Sequence, residues 1–326
     1  MSHTKDLVDE VLNKIEEIQY IQKKYSFLKF CDYNNYNLLG KTNCISFYNF
    51  IINRFQDFDE FYCMLGDEDS KKEYDFMVKH KVALAFLFDE FAYRLFPPKM
   101  TKEIYYKILE SVYNKSDIDG FIFKPDLTCL IDAFLIEQYR LSGIVEPILG
   151  DIVLDVGACY GDTALWFIKY VGKNGKVYAF EPESHNFKIL EENIRINNAK
   201  NIIPEKFAIG EKNETLKISK NGSNSLLSCY GQDEVDVVTI DEFVQNEKIY
   251  VNFIKMDIEG FELNALVGGS NTIKKYKPNL AIAIYHKGDD IITIPKYIKS
   301  LNAEYKFYLK SNRPNAHEMV LYVSNK

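Results

Sequence analysis

Apolar residues recur every three or four positions through much of the first 115 residues, which is the spacing of one buried helix face. This pattern predicts helices over 7–25, 71–95 and 101–114. The second of them ends before Pro97 and Pro98, because proline cannot continue a helix. We expect the apolar stripe of the first helix to pack within its own domain, and pairing with a second copy of the chain is the alternative.

Beyond a polar, glycine-bearing linker at 116–120 the pattern changes. A helix is predicted over 130–141, and short apolar runs then alternate with helical stretches. The predicted strands cover 152–156, 176–180, 202–208, 251–256 and 279–285, and the predicted helices cover 163–171, 185–197 and 261–276. Strands separated by helices imply a parallel sheet with right-handed crossovers.

Two further strands near the C-terminus, 305–310 and 319–324, have no helix between them. They are expected to form a hairpin, so one of them runs antiparallel to the main sheet. Shorter extended pieces are predicted at 215–219 and 235–240, with a turn at 221–224 between them.

The predicted fold class is therefore α/β. A mostly parallel, Rossmann-like sheet of seven strands with an antiparallel C-terminal hairpin is typical of methyltransferases that use S-adenosylmethionine. We expect two domains in the chain. One is a helical N-terminal region over 1–115 with no assigned role, and the other is the α/β domain over 116–326.

The composition narrows the class of protein. A net charge of −7 gives no basic surface for DNA or RNA, so no nucleic-acid partner is expected. The six cysteines form no CxxC pair and lie near no histidine cluster, which argues against a zinc site and suits a reducing cytoplasm. The most apolar segment, 82–96, contains Asp89, Glu90 and Arg94. No membrane span is predicted, and we expect a cytoplasmic protein.

Candidate chemistry begins where the first predicted strand ends. Gly157 and Gly161 stand between that strand and a helix, an arrangement that lets a nucleotide-like ligand approach the backbone. A dinucleotide fingerprint would need a third glycine in the pattern G-x-G-x-x-G. The acids Asp155 and Asp162 would also face phosphates unfavourably. They favour a cofactor with a cationic amino-acid end and no phosphate, such as S-adenosylmethionine.

The next two strands end in residues that complete a cofactor site. Glu181 ends the second strand, where its carboxylate is predicted to accept hydrogen bonds from two ribose hydroxyls. Pro182 fixes the turn that follows. Phe207 and Ala208 end the third strand, where an adenine ring would lie against apolar atoms. For Glu181, a solvated acid at a strand end is the alternative.

Acids and a histidine follow the fourth and fifth strands. Asp257 and Glu259 are two residues apart, so they would point to the same side of an extended chain. Three interpretations stay open: contact with cofactor and acceptor, binding of a hard metal ion, or, for Glu259 and Glu262, a favourable start to the next helix. His286 is a candidate general base, with a structural role as the alternative. The sequence assigns no metal ligand.

Taken together, the motifs resemble those of the FkbM-type methyltransferases over about residues 117–326. The segments that carry the resemblance are 150–158 with 161–163, 180–182, 254–262, 280–287 with Asp290, 305–309 and 320–322. The resemblance implies methyl transfer from S-adenosylmethionine to an oxygen, often a sugar hydroxyl of a surface polysaccharide or a natural product. It also implies that Gly157 and Glu181 match cofactor positions and that Asp257 lies beside the transferred methyl group.

The predicted site residues form three groups. The catalytic group is His286 and Asp257, and the acceptor-binding group is Glu259, Tyr285 and Lys287. The cofactor-binding group is Asp155, Gly157, Ala158, Gly161, Asp162, Thr163, Glu181, Pro182, Phe207, Ala208 and Asp257.

The expected partner is a small-molecule or glycan acceptor, and the N-terminal helices are the expected contact if the chain forms a homo-oligomer. Two other functions stay open. One is a nicotinamide-dependent dehydrogenase, and the other is an inert methyltransferase-like module that serves binding.

Overall fold

A central sheet of seven strands organises the chain in a computed structural model, which describes residues 2–24, 38–87, 89–112, 115–124, 130–219, 226–227, 233–314 and 318–325. The predicted turn at 221–224 lies outside these residues. The strands are β1 (Ile152–Val156), β2 (Lys176–Phe180), β3 (Ile202–Glu205), β4 (Ala208–Ile209), β5 (Glu214–Ser219), β6 (Leu226–Leu227), β7 (Asp233–Val238), β8 (Phe253–Met256), β9 (Asn279–Ala283), β10 (Lys306–Ser311) and β11 (Met319–Ser324).

Helices surround this sheet and make up the N-terminal region. They are α1 (His3–Lys24), α2 (Leu38–Ile51), α3 (Phe55–Met64), α4 (Glu68–Phe86), α5 (Asp89–Leu95), α6 (Lys102–Val112), α7 (Asp162–Val171), α8 (Ser184–Ile196), α9 (Ile240–Glu247), α10 (Glu262–Gly268), α11 (Ser270–Tyr276) and α12 (Asp290–Leu301). Among the described residues, none of these helices has both the length and the apolar character needed to cross a membrane.

The seven strands lie in the order β10-β11-β9-β8-β1-β2-β3. All neighbouring pairs are parallel except the two that involve β11, which runs antiparallel to both β9 and β10. This order confirms the predicted α/β fold with an antiparallel C-terminal hairpin. Strands β1, β8 and β9 are almost wholly buried, as expected for parallel strands covered on both faces.

One predicted strand is wrong, because part of it belongs to a second, smaller sheet. The run 202–208 is two strands, because β3 ends at Glu205 and the chain then leaves the main sheet. Ala208 pairs with Val237 of β7, so β4 belongs to a sheet with the order β4-β7-β5-β6. Pro204, Glu205 and Lys206 separate the two apolar pieces, but periodicity alone could not show that the backbone changes partner there.

Three predicted helices also differ from the structure. The helix over 130–141 is only a short π-helix, Ile131–Leu135, because Glu137 takes a φ of +53° that a right-handed helix cannot accommodate. The predicted helix over 71–95 is α4 followed by α5; it begins earlier because the Asp67 carboxylate accepts a hydrogen bond from Ser70 N. The predicted helix over 261–276 is α10 and α11, which meet at Gly269.

The N-terminal helices pack against the exposed edge of the main sheet. Leu65 forms a parallel bridge with Phe307 of the edge strand β10, and Gly66 N donates to Phe307 O at 2.8 Å. Ser70 of α4 accepts a hydrogen bond from Leu309 N at 3.0 Å. Buried side chains of the helical region and of the sheet form one continuous apolar core. The described part of the helical region therefore shares a core with the α/β domain.

The apolar stripe of the first helix lies inside this core. Its four buried side chains, Leu7, Val8, Val11 and Ile15, belong to the core, and α1 packs against α4. This arrangement matches the expectation of packing within the chain. The described part of the stripe therefore packs within the chain, and contact between copies through the N-terminal helices stays a prediction.

The hydrogen bond to Ser70 gives a testable measure of this docking. Ser70→Ala is expected to lower the free energy of unfolding by about 1–3 kcal/mol, because the buried N–H of Leu309 would lose its acceptor. Chemical denaturation measures the change. The matched control is Ser300→Ala, whose hydroxyl is exposed, and it is expected to change stability by less than about 0.5 kcal/mol. Equal effects of the two substitutions would contradict this account.

Candidate functional site

The turn after β1 brings two strand ends into close contact. Gly157 has a φ of +85°, and a Cβ there would lie 1.9 Å from the carbonyl oxygen of Asp257. Its N–H and that of Ala158 both donate to the carbonyl of Phe180, at 3.1 and 2.9 Å. Gly161 has a φ of +90° and precedes α7, where a Cβ would meet Leu190 at 2.5 Å. Only glycine fits these two positions without displacing neighbours.

A buried ion pair lies directly under this turn. Asp155 of β1 and Lys255 of β8 occupy opposite positions in the strand register, and Lys255 Nζ is 3.1 Å from Asp155 Oδ1. The same ammonium group donates to the carbonyl of Gly157 at 2.6 Å. Thr163 Oγ1 donates to the other Asp155 oxygen at 2.6 Å. Asp155 therefore holds the turn from below, through partners within the chain.

Glu181 lies at the end of β2 with its carboxylate almost fully buried. Its Oε1 accepts a hydrogen bond from Glu183 N at 2.8 Å and lies 3.5 Å from the Asn186 amide nitrogen. Burial raises the pKa of Glu181 to about 7, although these hydrogen bonds act in the opposite direction. The carboxylate is thus held in one place and titrates near neutral pH.

The strand ends line an open cleft. One wall is polar and comes from the turn and from the end of β8, while Phe180, Phe207 and Phe261 supply apolar surface. The cleft lies at the carboxyl ends of β1, β2 and β8, which is the usual position of a ligand in an open α/β sheet.

Asp257 accepts hydrogen bonds from three side chains on other parts of the chain. Tyr139 donates to its Oδ2 at 2.5 Å, and Tyr285 donates to the same oxygen at 3.2 Å. His286 Nε2 lies 3.2 Å from Oδ1. Burial alone would raise the pKa of Asp257, but the His286 hydrogen bond and the charges of His286 and Lys255 hold it well below its usual range. Asp257 is therefore ionised at neutral pH.

His286 is surrounded by carboxylates. Its Nδ1 lies 2.9 Å from Oε1 of the fully buried Glu262, and its Nε2 faces Asp257 and, at 3.7 Å, Glu259. Burial alone would lower the pKa of His286, but the hydrogen bonds and charges of Asp257 and Glu262 raise it to about 10. In this arrangement both imidazole nitrogens are protonated at neutral pH, so the ring carries a positive charge. Its role as a general base stays a prediction, as does the catalytic role of Asp257.

The predicted site residues divide into those that line the cleft and those that support it. The cleft is lined by Gly157, Glu181, Pro182, Phe207, Ala208, Asp257 and Glu259. The remaining predicted residues lie behind it or beside it: Asp155, Ala158, Gly161, Asp162, Thr163, Tyr285, His286 and Lys287. Roles in cofactor or acceptor binding stay predictions for both groups.

The positions and contacts of two of these residues, Asp162 and Lys287, are well defined. Asp162 begins α7, and burial raises its pKa to about 7. Lys287 folds back so that its Nζ lies 5.6 Å from the centre of the Phe261 ring. Its backbone N–H donates to Asp290 at 2.7 Å. Lys287 thus covers the turn after β8 from outside the cleft.

Three residues of the site had no predicted role in catalysis or ligand binding. Lys255 gave a usable signal, because a lysine inside the apolar strand β8 needs a buried partner. Glu262 is the buried partner of His286, although its position suggested only a helix start. Tyr139 follows the π-helix and reaches Asp257 across a separation of 118 residues, so no local pattern could indicate it.

The comparisons with known proteins agree with the motifs. Residues 155–311 match the model of the methyltransferase FkbM domain. This confirms the resemblance drawn from the motifs, over a shorter span than the predicted 117–326. The glycine turn, Glu181, Asp257 and His286 all lie within the matched FkbM domain.

Two known proteins are similar to this chain in sequence or in structure. Hexuronic acid methyltransferase AglP from Haloferax volcanii is 28% identical over 174 residues, which cover 52% of this chain and 68% of that protein. A crystal structure of methyltransferase FkbM from Methylobacillus flagellatus KT has a TM-score of 0.60 and 21% sequence identity. That similarity covers 84% of this chain and 60% of the other chain, and it supports the fold.

Proposed function

We propose that this protein is an S-adenosylmethionine-dependent O-methyltransferase that acts on a sugar hydroxyl of a glycan. The observation that carries the proposal is one cleft that joins the Gly157 turn, the Glu181 carboxylate and the Asp257 carboxylate. These are the features expected for a cofactor turn, a ribose acceptor and a group beside the reacting atoms. The match to the FkbM domain supports methyl transfer as the reaction.

The residues present fit the proposed cofactor. Gly157 lines the cleft, and any larger residue at this position would collide with Asp257 O. Glu181 offers a carboxylate to ribose hydroxyls, and Phe207 offers an apolar face to an adenine ring. Among the described residues that line the cleft there is no lysine or arginine, so this lining lacks the basic side chains that commonly bind phosphates. S-adenosylmethionine has no phosphate.

The chain supplies positioning and a proton acceptor. S-adenosylmethionine, when bound, would supply a methyl group on a positively charged sulfur. Tyr139 and Tyr285 fix the Asp257 carboxylate by hydrogen bonds, so that one oxygen can receive the proton of the acceptor hydroxyl. The nearby imidazolium of His286 keeps that carboxylate ionised. Such help from a positioned base is worth roughly 10²–10⁴-fold in rate.

A glycan acceptor is the chemical class that the comparison favours, because the relative from Haloferax volcanii is named for methylation of a hexuronic acid. A nicotinamide-dependent dehydrogenase is disfavoured by the FkbM match and by the missing third glycine. An inert binding module would keep cofactor affinity without turnover. The following experiment separates it from an enzyme.

The proposal can be tested in two steps. Calorimetric titration with S-adenosylhomocysteine should show saturable binding, and NAD should show none. Cell-surface glycans from strains with and without the gene are then compared by mass spectrometry. We expect loss of a mass corresponding to one methyl group on a sugar. Cofactor binding with no missing methyl group in any glycan fraction would overturn the assigned acceptor.

Glu181 gives a pH-dependent prediction. Because burial raises its pKa to about 7, the carboxylate becomes protonated as the pH falls below neutral and loses acceptor capacity for the ribose hydroxyls. The affinity for S-adenosylmethionine is expected to rise about tenfold between about pH 6 and pH 8. Glu181→Gln should abolish that rise, whereas Glu191→Gln on the exposed side of α8 should retain it. Calorimetry at several pH values measures both.

A further inference from the structure

We propose that Asp257, Glu259 and His286 bind a divalent transition-metal cation such as Mn²⁺ in the wall of the cleft. Asp257 Oδ1 lies 3.2 Å from His286 Nε2, and Glu259 Oε2 lies 3.7 Å from the same nitrogen. Both carboxylates line the cleft. Two acidic side chains and one imidazole nitrogen therefore converge where a ligand can enter.

Glu262 fixes the orientation of the imidazole. Its Oε1 lies 2.9 Å from His286 Nδ1 and also accepts a hydrogen bond from Ile258 N at 2.8 Å. With Nδ1 committed to Glu262, Nε2 is the nitrogen that faces Asp257 and Glu259. A carboxylate that holds one histidine nitrogen while the other binds metal is a common arrangement in metal sites.

The distances suit a shared cation. Ligand atoms that are roughly 2.0–2.2 Å from one metal ion lie roughly 3.0–3.5 Å apart at neighbouring positions. The separation of Asp257 Oδ1 and His286 Nε2 is in that range, and Glu259 Oε2, at 3.7 Å from the same nitrogen, lies just outside it. Asp257, Glu262 and His286 offer ligand atoms that lie within 4.8 Å of one another. A rotation of the Glu259 side chain toward His286 would complete the proposed ligand set.

The excess of carboxylates around His286 favours binding of a divalent cation. Three carboxylates, from Asp257, Glu259 and Glu262, surround a single imidazole. Glu262 is fully buried, and its Oε2 has no hydrogen-bond partner among the described residues. Even a positively charged imidazole would leave this group with excess negative charge. A divalent cation bound among these side chains reduces that excess.

Glu259 lies in a turn after β8 and takes a φ of +54°, in the left-handed region that non-glycine residues rarely adopt. Its carboxylate lies 3.7 Å from His286 Nε2. The mixed set of imidazole and carboxylate ligands suits ions such as Mn²⁺ better than an all-oxygen ion such as Ca²⁺.

Cation binding does not depend on the proposed methyl transfer. If that function is correct, the cation would lie beside the acceptor, where it would lower the pKa of a coordinated sugar hydroxyl. If it is wrong, the binding measurement below keeps its meaning, because it uses neither S-adenosylmethionine nor a glycan.

The experiment titrates the chelator-treated full chain with MnCl₂ and follows free Mn²⁺ by electron paramagnetic resonance. We expect one bound ion per chain with a Kd below about 100 µM. Asp257→Asn and Glu259→Gln should each raise that Kd at least about tenfold. Glu191→Gln, at an exposed position on α8, should leave it unchanged. Thermal melting without metal checks that each variant is folded.

Two results would overturn the proposal. One is the absence of saturable Mn²⁺ binding to the wild-type chain up to about 1 mM, which would leave His286 as a protonated partner of the carboxylates. The other is an unchanged Kd in both Asp257→Asn and Glu259→Gln, which would place any bound ion elsewhere. Binding of S-adenosylhomocysteine to the same samples reports separately on the proposed function.

Discussion

Replacing Lys255 with methionine is expected to lower the free energy of unfolding by about 3–5 kcal/mol. Lys255 and Asp155 are 2% and 0% exposed, and their charges compensate each other between two central strands. Methionine would fill a similar volume, but it would leave the Asp155 carboxylate buried without its cation. The carbonyl of Gly157 would also lose a hydrogen bond. The turn above the pair should therefore loosen together with the loss of stability.

Urea denaturation measures this effect, and two further variants test its cause. Lys176→Met removes an exposed lysine from β2 and is expected to change stability by less than about 0.5 kcal/mol. Asp155→Asn combined with Lys255→Met removes both charges, so part of the lost stability should return. The effects of Lys255→Met and of Asp155→Asn on the free energy of unfolding could instead add fully in the double variant. In that case the ion pair is not the source of the effect.

Gly157→Ala is expected to weaken binding of S-adenosylhomocysteine at least about 100-fold, which corresponds to about 2.7 kcal/mol. The residue has a φ of +85°, and a methyl group there would lie 1.9 Å from Asp257 O. The collision involves backbone on both sides, so no side-chain rotation can relieve it. The ends of β1 and β8 would have to separate, and the proposed cofactor contact would change shape.

Calorimetric titration measures the affinity, at a temperature where circular dichroism shows the variant to be folded. The matched control is Gly288→Ala. Gly288 does not have a strained positive φ, and a Cβ there has open space. The control should bind within about twofold of the wild-type chain. An affinity for Gly157→Ala within about threefold of wild type would show that the turn does not contact the cofactor.

Much of the sheet could be predicted because its strands carry a strong local signal. β1, β2 and β11 begin and end at the predicted residues, since each is a buried apolar run with a turn on both sides. The helix α12 went unpredicted. It contains Pro295 in its interior, and proline normally indicates that a helix has ended. Local rules identify elements well where the local sequence and the tertiary structure agree.

The candidate site was harder to predict because its residues meet through the fold. The sequence indicated Asp257 and His286 as acids and bases near strand ends. It could not show that Glu262, Tyr139 and Tyr285 also converge on them, since such contacts depend on how distant segments pack. His286 illustrates the consequence. Its near-neutral unperturbed pKa suggested a base, whereas the surrounding carboxylates raise the pKa to about 10.

The contact between α4 and β10 has a consequence for how the FkbM domain exists by itself. An open sheet ends in a strand with unpaired N–H and C=O groups, which can pair with another molecule. Here Leu65, Gly66 and Ser70 occupy part of that edge. A shortened protein that starts at residue 116 would present both the strand edge and the apolar surface beside it. The helical region thus covers part of the edge where a strand of another molecule could pair. We expect this cover to limit edge-to-edge aggregation of the sheet.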